Sequence, residues 1–299
     1  MTQSAAETIA ISSSGLAVTV STLGAELQSI QDAAGNDLMW NGDPAVWSGR
    51  APILFPIVGE LAGGRCRVDG KDYALSRHGF ARRRLFAIEA RTPDAVTLRL
   101  VEDDESLAVY PFAFVLDITF SVAGSRLDVV AALTNPSDVP LPASFGYHPA
   151  FLWPLPGAGD RDGHAIRFDQ PETAPIRRLD GHGLVVPEPR ENPVVGDLLV
   201  LRDELFTDDA LVFDQLASRT VTYGGNGGPS IRVEFPEMPD LGIWTKPGAG
   251  YVCIEPWQGH ADPVGYDGEF AAKPGVVTVA PGETRLFAMG ITVEATDPV

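Results

Sequence analysis

The sequence predicts an all-β protein of antiparallel strands with few short helices. Three observations carry this reading. Apolar residues alternate at Phe112, Phe114, Leu116, Ile118, Phe120 and Val122, and again at Leu127, Val129, Ala131 and Leu133. Ala123-Gly124-Ser125-Arg126 lies between the two runs as the turn of an antiparallel hairpin. No stretch carries an amphipathic helical period of comparable strength. The 31 glycines and 25 prolines suit many short strands joined by turns.

Leu16, Val18 and Val20 alternate with Ala17 and Thr19, the pattern of a half-buried strand. The stretch from Gly24 to Ile30 follows, and Ala34-Gly35-Asn36-Asp37 reads as a turn before Leu38-Met39-Trp40. Prolines bracket Ile53 to Phe55, so the segment from Trp47 to Gly59 is irregular and buried, with Arg50 the one charge at its entrance. Val96, Leu98 and Leu100 mark the strand before the hairpin. Residues 154–197 are punctuated by proline and glycine and read as loops over the mouth of a β scaffold, where His164 and His182 are expected to be solvated. Gly224 to Gly228 reads as a hairpin turn, and without a strand-to-helix setting it is not a phosphate loop. Ile231–Phe235, Leu241–Thr245, Tyr251–Glu255 and Leu286–Val293 complete the strands, with Pro256 expected to stop the ladder beyond Glu255.

Composition bounds the function. The chain of 299 residues is 44% hydrophobic, enough for a sizeable core. Both flanks of the loop-rich stretch look alike in composition, so residues 1–299 are read as a single domain. A net charge of −18 argues against nucleic acid, which is held by neutralising phosphates, and against anionic membranes. No apolar run is long enough to span a bilayer, and Met1 to Thr8 has neither a basic residue nor an apolar core of a signal peptide. Cys66 and Cys253 lack metal or redox spacing and are expected as free thiols in a cytoplasmic protein.

Three stretches carry chemistry. In Phe145-Gly-Tyr-His-Pro-Ala-Phe151, Pro149 pushes His148 toward extended backbone, and Phe145, Tyr147 and Phe151 offer flat faces for a sugar ring. His148 is either a proton donor titrating near neutrality or a core histidine with both nitrogens satisfied. In Ser76-Arg-His-Gly-Phe-Ala-Arg82, flanking cations keep His78 neutral, as a hydrogen-bond partner or as part of a solvated basic loop. In Tyr251-Val-Cys-Ile-Glu-Pro-Trp257, a carboxylate ends an apolar strand, where burial is costly unless Glu255 is paired with an arginine or functional. Arg50 offers forked donors to a ligand oxygen, and Asp209 either caps a turn or binds hydroxyls.

A carboxylate and a histidine on opposite sides of a substrate form a general base and a general acid. Mutarotation of an aldose needs only that pair: the base takes the anomeric hydroxyl proton and the acid protonates the ring oxygen. The ring opens, C1 turns about its bond to C2, and the ring closes on the other face. Each positioned acid or base contributes about 10²–10⁴ in rate. An ionised Glu255 close to His148 is expected to raise the histidine pKa, and activity is expected to be bell-shaped in pH.

The motifs Arg50-Ala-Pro-Ile-Leu-Phe-Pro-Ile-Val-Gly59, Arg77-His-Gly-Phe-Ala-Arg82, Phe145–Phe151 and Cys253-Ile-Glu-Pro-Trp257 together resemble the aldose 1-epimerase (galactose mutarotase) family, closest to its LacX-like branch. The resemblance runs over essentially the whole chain, from Gly24-Ala-Glu-Leu to Pro281-Gly-Glu. It implies an antiparallel β-supersandwich with a sugar site in an open cleft on the sheet. It implies Glu255 as general base, His148 as general acid, and Arg50 and His78 on sugar oxygens with Arg82 in support. Asp209 is the expected counterpart of a sugar-binding aspartate whose family motif this chain lacks. The implied substrate is a monosaccharide, no cofactor or metal is expected, and the assembly is expected to be a monomer or homodimer. A sister branch acts on hexose 6-phosphates, which Arg77 and Arg82-Arg83-Arg84 suit and the global charge does not. Two further readings are a sugar-binding regulator without turnover, and a metal enzyme built on His78, His148 and Glu255.

Overall fold

The alternation at 112–133 folds as a hairpin of Val115–Ala123 and Arg126–Thr134, with Arg126 opposite Ala123 and Leu127 opposite Val122. The coordinates are a computed structural model in which residues 5–295 are described. Met1 to Ser4, part of the stretch read above for a targeting signal, lies outside the described residues. The first strand begins at Val115 rather than Phe112, because Pro111 holds the approach in irregular backbone. Leu116, Ile118, Phe120, Val122, Leu127, Val129, Ala131 and Leu133 are all buried on one face. Burying a large apolar side chain contributes about 1.5–3 kcal/mol, so a slip of one residue would forfeit the face and the register is fixed.

This hairpin sits within a nine-stranded antiparallel sheet. Its order is Leu198–Val200, Ala165–Phe168, Thr220–Gly224, Pro229–Glu234, Thr284–Ala295, Arg126–Thr134, Val115–Ala123, Ala95–Val101 and Ala87–Arg91. A three-stranded sheet of Thr8–Ser12, Leu16–Ser21 and Glu26–Asp32 packs beside it. Tyr147 braces the large sheet against its neighbour: its hydroxyl donates its one proton to the Phe287 carbonyl (2.7 Å), with the Val129 carbonyl also within reach (3.1 Å), and accepts from the Ala131 amide (3.0 Å). Between the sheets runs one apolar core that takes in Phe145, Tyr147 and Phe151.

Function rests on the six-stranded sheet. Along it run Leu211–Phe213, Asp240–Trp244, Tyr251–Gln258, Phe145–Tyr147 and Ile53–Leu54. Tyr251–Gln258 is buried along its whole length and flanked by Asp240–Trp244 on one side. On its other side the partner changes. Ala150–Leu152 pairs with residues 251–253, whereas Phe145 and Gly146 pair with Gln258 and Trp257. His148-Pro149 spans the interval between these two short strands. Pro256 therefore does not stop the ladder, as its position suggested; it faces the interval, where its missing N–H leaves no bond unmade.

The helix content agrees with the few short helices expected, and one other expectation changes. The only α-helix among the described residues, Asp104–Val109, was not legible as an amphipathic period because it is under two turns long; a capping box between Asp103 and Ser106 makes it. His164 is fully buried rather than solvated, its Nε2 accepting from the Leu155 amide at 3.0 Å, whereas His182 is exposed. Cys66 and Cys253 are free and buried. No helix among the described residues is long and apolar enough to cross a membrane.

Candidate active site

The interval in the ladder places His148 opposite Glu255. Both side chains line a cavity of about 270 Å³ in the six-stranded sheet. Nε2 of His148 lies 3.1 Å from Oε2 of Glu255, with 7% and 2% of the two residues exposed. The groups are in direct contact, not separated by the width of a sugar ring. Two groups this close serve atoms on one side of a ligand rather than flanking it.

Burial governs the charge of the pair. It pushes the Glu255 carboxyl well above its ordinary range, with Asp209 adding to the effect and Arg77 opposing it. It brings His148 down to about 3, helped by the positive charge of Arg82 and Arg77. The expectation that Glu255 would raise the histidine is thus overturned: desolvation and two guanidinium groups bring it down, and a carboxyl that burial itself pushes up does not offset them. Burial thus favours the uncharged form of both groups. Nδ1 of His148 is buried without a hydrogen-bond partner, so stacking rather than a hydrogen bond sets the ring plane. Trp47 stacks on the imidazole at 5.2 Å and 28°, and Trp244 and His78 meet it edge-on at 6.0 and 5.8 Å.

His78 stands in the cavity wall in a left-handed conformation (φ 65°). The following Gly79 is obligatory, since a Cβ there would lie 2.1 Å from the Phe55 carbonyl oxygen. The Gly59 amide donates to Nδ1 of His78 (3.1 Å), which leaves the proton on Nε2. Burial, then His148, Arg77 and Arg82, hold the ring neutral. Arg82 also lines the cavity, and its guanidinium has no hydrogen bond or ion pair among the described residues. Asp209 is at the rim, again left-handed (φ 63°), 3.8 Å from Arg77.

Arg50 is not brought to the site. Its guanidinium donates to the Gln28 carbonyl (2.8 Å), and Glu26 accepts from the Arg50 and Ala51 amides, which pins the segment leading into Ile53–Leu54. Nor do Phe145, Tyr147 and Phe151 offer a platform; they alternate into the core. The flat faces in the cavity belong to Trp47, Trp244 and Trp257. Gly242 makes room for Trp257, because a Cβ there would meet its ring at 2.3 Å. Trp47, Trp244 and His260 were missed: Trp47 stands in an irregular loop with no period to orient it, and His260 carries only the hint of following Glu255 by five positions.

A family model described as aldose 1-epimerase matches residues 7–292. The chain is 31% identical over 297 residues to the chromosomal protein LacX of Lactococcus lactis subsp. lactis, covering 96% of this chain and 99% of that one. Among solved structures, a galactose mutarotase related enzyme from Lactobacillus acidophilus aligns with a TM-score of 0.88 at 29% identity, covering 98% and 99% of the two chains. A galactose mutarotase-like protein from Lactobacillus casei aligns with a TM-score of 0.90 at 26% identity, over 96% of this chain and 100% of that one.

Proposed function

Because the chain belongs to the aldose 1-epimerase family, we propose that it interconverts the α and β anomers of a free aldose without cofactor. One observation carries the proposal: a buried histidine and carboxyl stand 3.1 Å apart inside a tryptophan-walled cavity of sugar size. Glu255 takes the proton of the anomeric hydroxyl as His148 gives one to the ring oxygen. The dyad is then left as protonated Glu255 and neutral His148, the form that burial favours, while the aldehyde is open. Rotation about C1–C2 and reversal of the transfers close the ring on the other face. His78 Nε2–H and the unpartnered Arg82 guanidinium supply donors to sugar oxygens, and Asp209 supplies an acceptor at the rim. Arg50 acts at a distance, by fixing the strand entry.

The test is an anomerisation screen by NMR on freshly dissolved glucose, galactose, other aldoses and their 6-phosphates. Acceleration of at least one free aldose is expected. Binding of sugars with no acceleration would sink the reading in favour of a regulator. The 6-phosphate arm addresses a second reading, favoured by Arg82, which lines the cavity with no ion pair among the described residues; preference for a phosphorylated sugar would select it.

Two further outcomes follow. In pH, kcat/KM should show a broad plateau, because activity needs one proton on the dyad. The acid limb belongs to the second proton arriving on His148, brought down to about 3, and the alkaline limb to loss of the proton from Glu255, pushed up. An acid limb at the ordinary histidine position would contradict this assignment. Trp47→Leu should lower kcat/KM about tenfold, since stacked aromatic pairs are worth about 0.5–1.5 kcal/mol and this is the one ring stacked on the face of the imidazole. Stopped-flow polarimetry on that variant checks it; unchanged kinetics would remove Trp47 from the site.

A further inference from the structure

The donor atoms at the His148 and Glu255 pair include a third. Cys253 lies two residues before Glu255 on the same strand, so both side chains project from one face. One ligand atom from each of His148, Cys253 and Glu255 lies within 4.8 Å of the others, and all three residues are buried. Two ligands on one tetrahedral zinc sit about 3.3 Å apart, given bonds of about 2.0–2.1 Å. Nε2 and Oε2 are already 3.1 Å apart. A thiolate bond of about 2.3 Å places sulfur about 3.6 Å from the other two donors, so loading draws together atoms that now lie at most 4.8 Å apart. Imidazole, thiolate and carboxylate form a donor set for a borderline-soft dication, distinct from the two-histidine set that the sequence suggested.

Charge decides whether a cation can enter so dry a place. A thiolate, a carboxylate and a dication sum to zero, so the loaded site carries no net charge to desolvate. Of the neighbouring cations, Arg77 is drawn to Asp209 and Arg82 stands alone. His78 is neutral and already commits Nδ1 to Gly59. We propose that His148, Cys253 and Glu255 form an inhibitory zinc site, open to the cavity through the two catalytic groups and completed there by water. Loading replaces the thiol proton and the carboxyl proton, which leave to solvent, and bonds the metal to nitrogen, oxygen and sulfur without change of oxidation state. The site stands on geometry alone; its inhibitory consequence rests on the mutarotase reading.

Cobalt(II) tests the site without reference to turnover. Metal-free protein titrated with cobalt(II) should develop a thiolate-to-cobalt charge-transfer band at one equivalent, displaced by zinc. Cys253→Ser should lose the band, and Cys66→Ser should keep it. Glu255→Gln should bind cobalt about tenfold more weakly or worse. In the activity arm, zinc should inhibit the wild type, and Cys253→Ser should retain basal mutarotation while needing about tenfold more zinc. A missing band in the wild type, or a band that survives in Cys253→Ser, overturns the site. A band with no mutarotation to inhibit leaves the site standing and removes the enzymatic reading instead.

Discussion

Glu255→Gln should lower kcat by about 10²–10⁴, the contribution of one positioned acid or base, while KM changes little. The amide keeps the shape of the carboxyl but neither takes the anomeric proton nor carries a mobile proton toward His148. Folding should improve. The carboxyl pKa is raised in the fold, so above its unfolded value of about 4.3 the unfolded chain gains by ionising and the native state loses stability as pH rises. Glutamine has no such ionisation. A Tm increase of at least about 2 °C is expected near pH 7, shrinking as pH falls toward the unfolded pKa. Polarimetry on fresh α-anomer and thermal scans at two pH values give the answer. Unchanged mutarotation in this variant would refute the proposed dyad; lost activity together with lost stability would mark Glu255 as structural.

The second large effect concerns His148. His148→Asn should also lower kcat by about 10²–10⁴, and the double variant with Glu255→Gln should be about as slow as the worse single variant. The reason is the 3.1 Å contact: the two groups handle one proton and fail as a unit, so their losses do not multiply. Multiplicative losses would mean independent roles, with each group serving a separate step. A double-mutant cycle in kcat distinguishes the two outcomes.

What could be read from the sequence divides by physical cause. Alternation fixed on one face the apolar residues of the long hairpin, and the order and near-boundaries of the other main strands followed from it. The motif resemblance named His148 and Glu255, which the fold brings into contact across more than a hundred residues. Their proximity could not be read, because it depends on two short strands sharing one partner with an interval between them. The roles of Phe145, Tyr147 and Phe151 were misassigned because an aromatic side chain next to a histidine looks the same whether it faces a sugar or a core. Arg50 was misplaced for a related reason: a lone charge among apolar neighbours can be satisfied by a carbonyl, here that of Gln28, as well as by a ligand. Trp47 and His260 lie in loops, where no period says which way a side chain points.

The pleat of Tyr251–Gln258 gives Tyr251, Cys253, Glu255 and Trp257 one common side. The address of the carboxyl is therefore a matter of parity, counted along the strand from the turn that precedes it. Inserting or deleting one residue between Tyr251 and Glu255 would turn Glu255 away from the cavity and offer Ile254 or Pro256 in its place, while every neighbouring strand found a partner as before. Chemistry in this protein is thus far more sensitive to an odd change in length than to many changes of identity, and a lineage could lose turnover by one codon and keep its architecture.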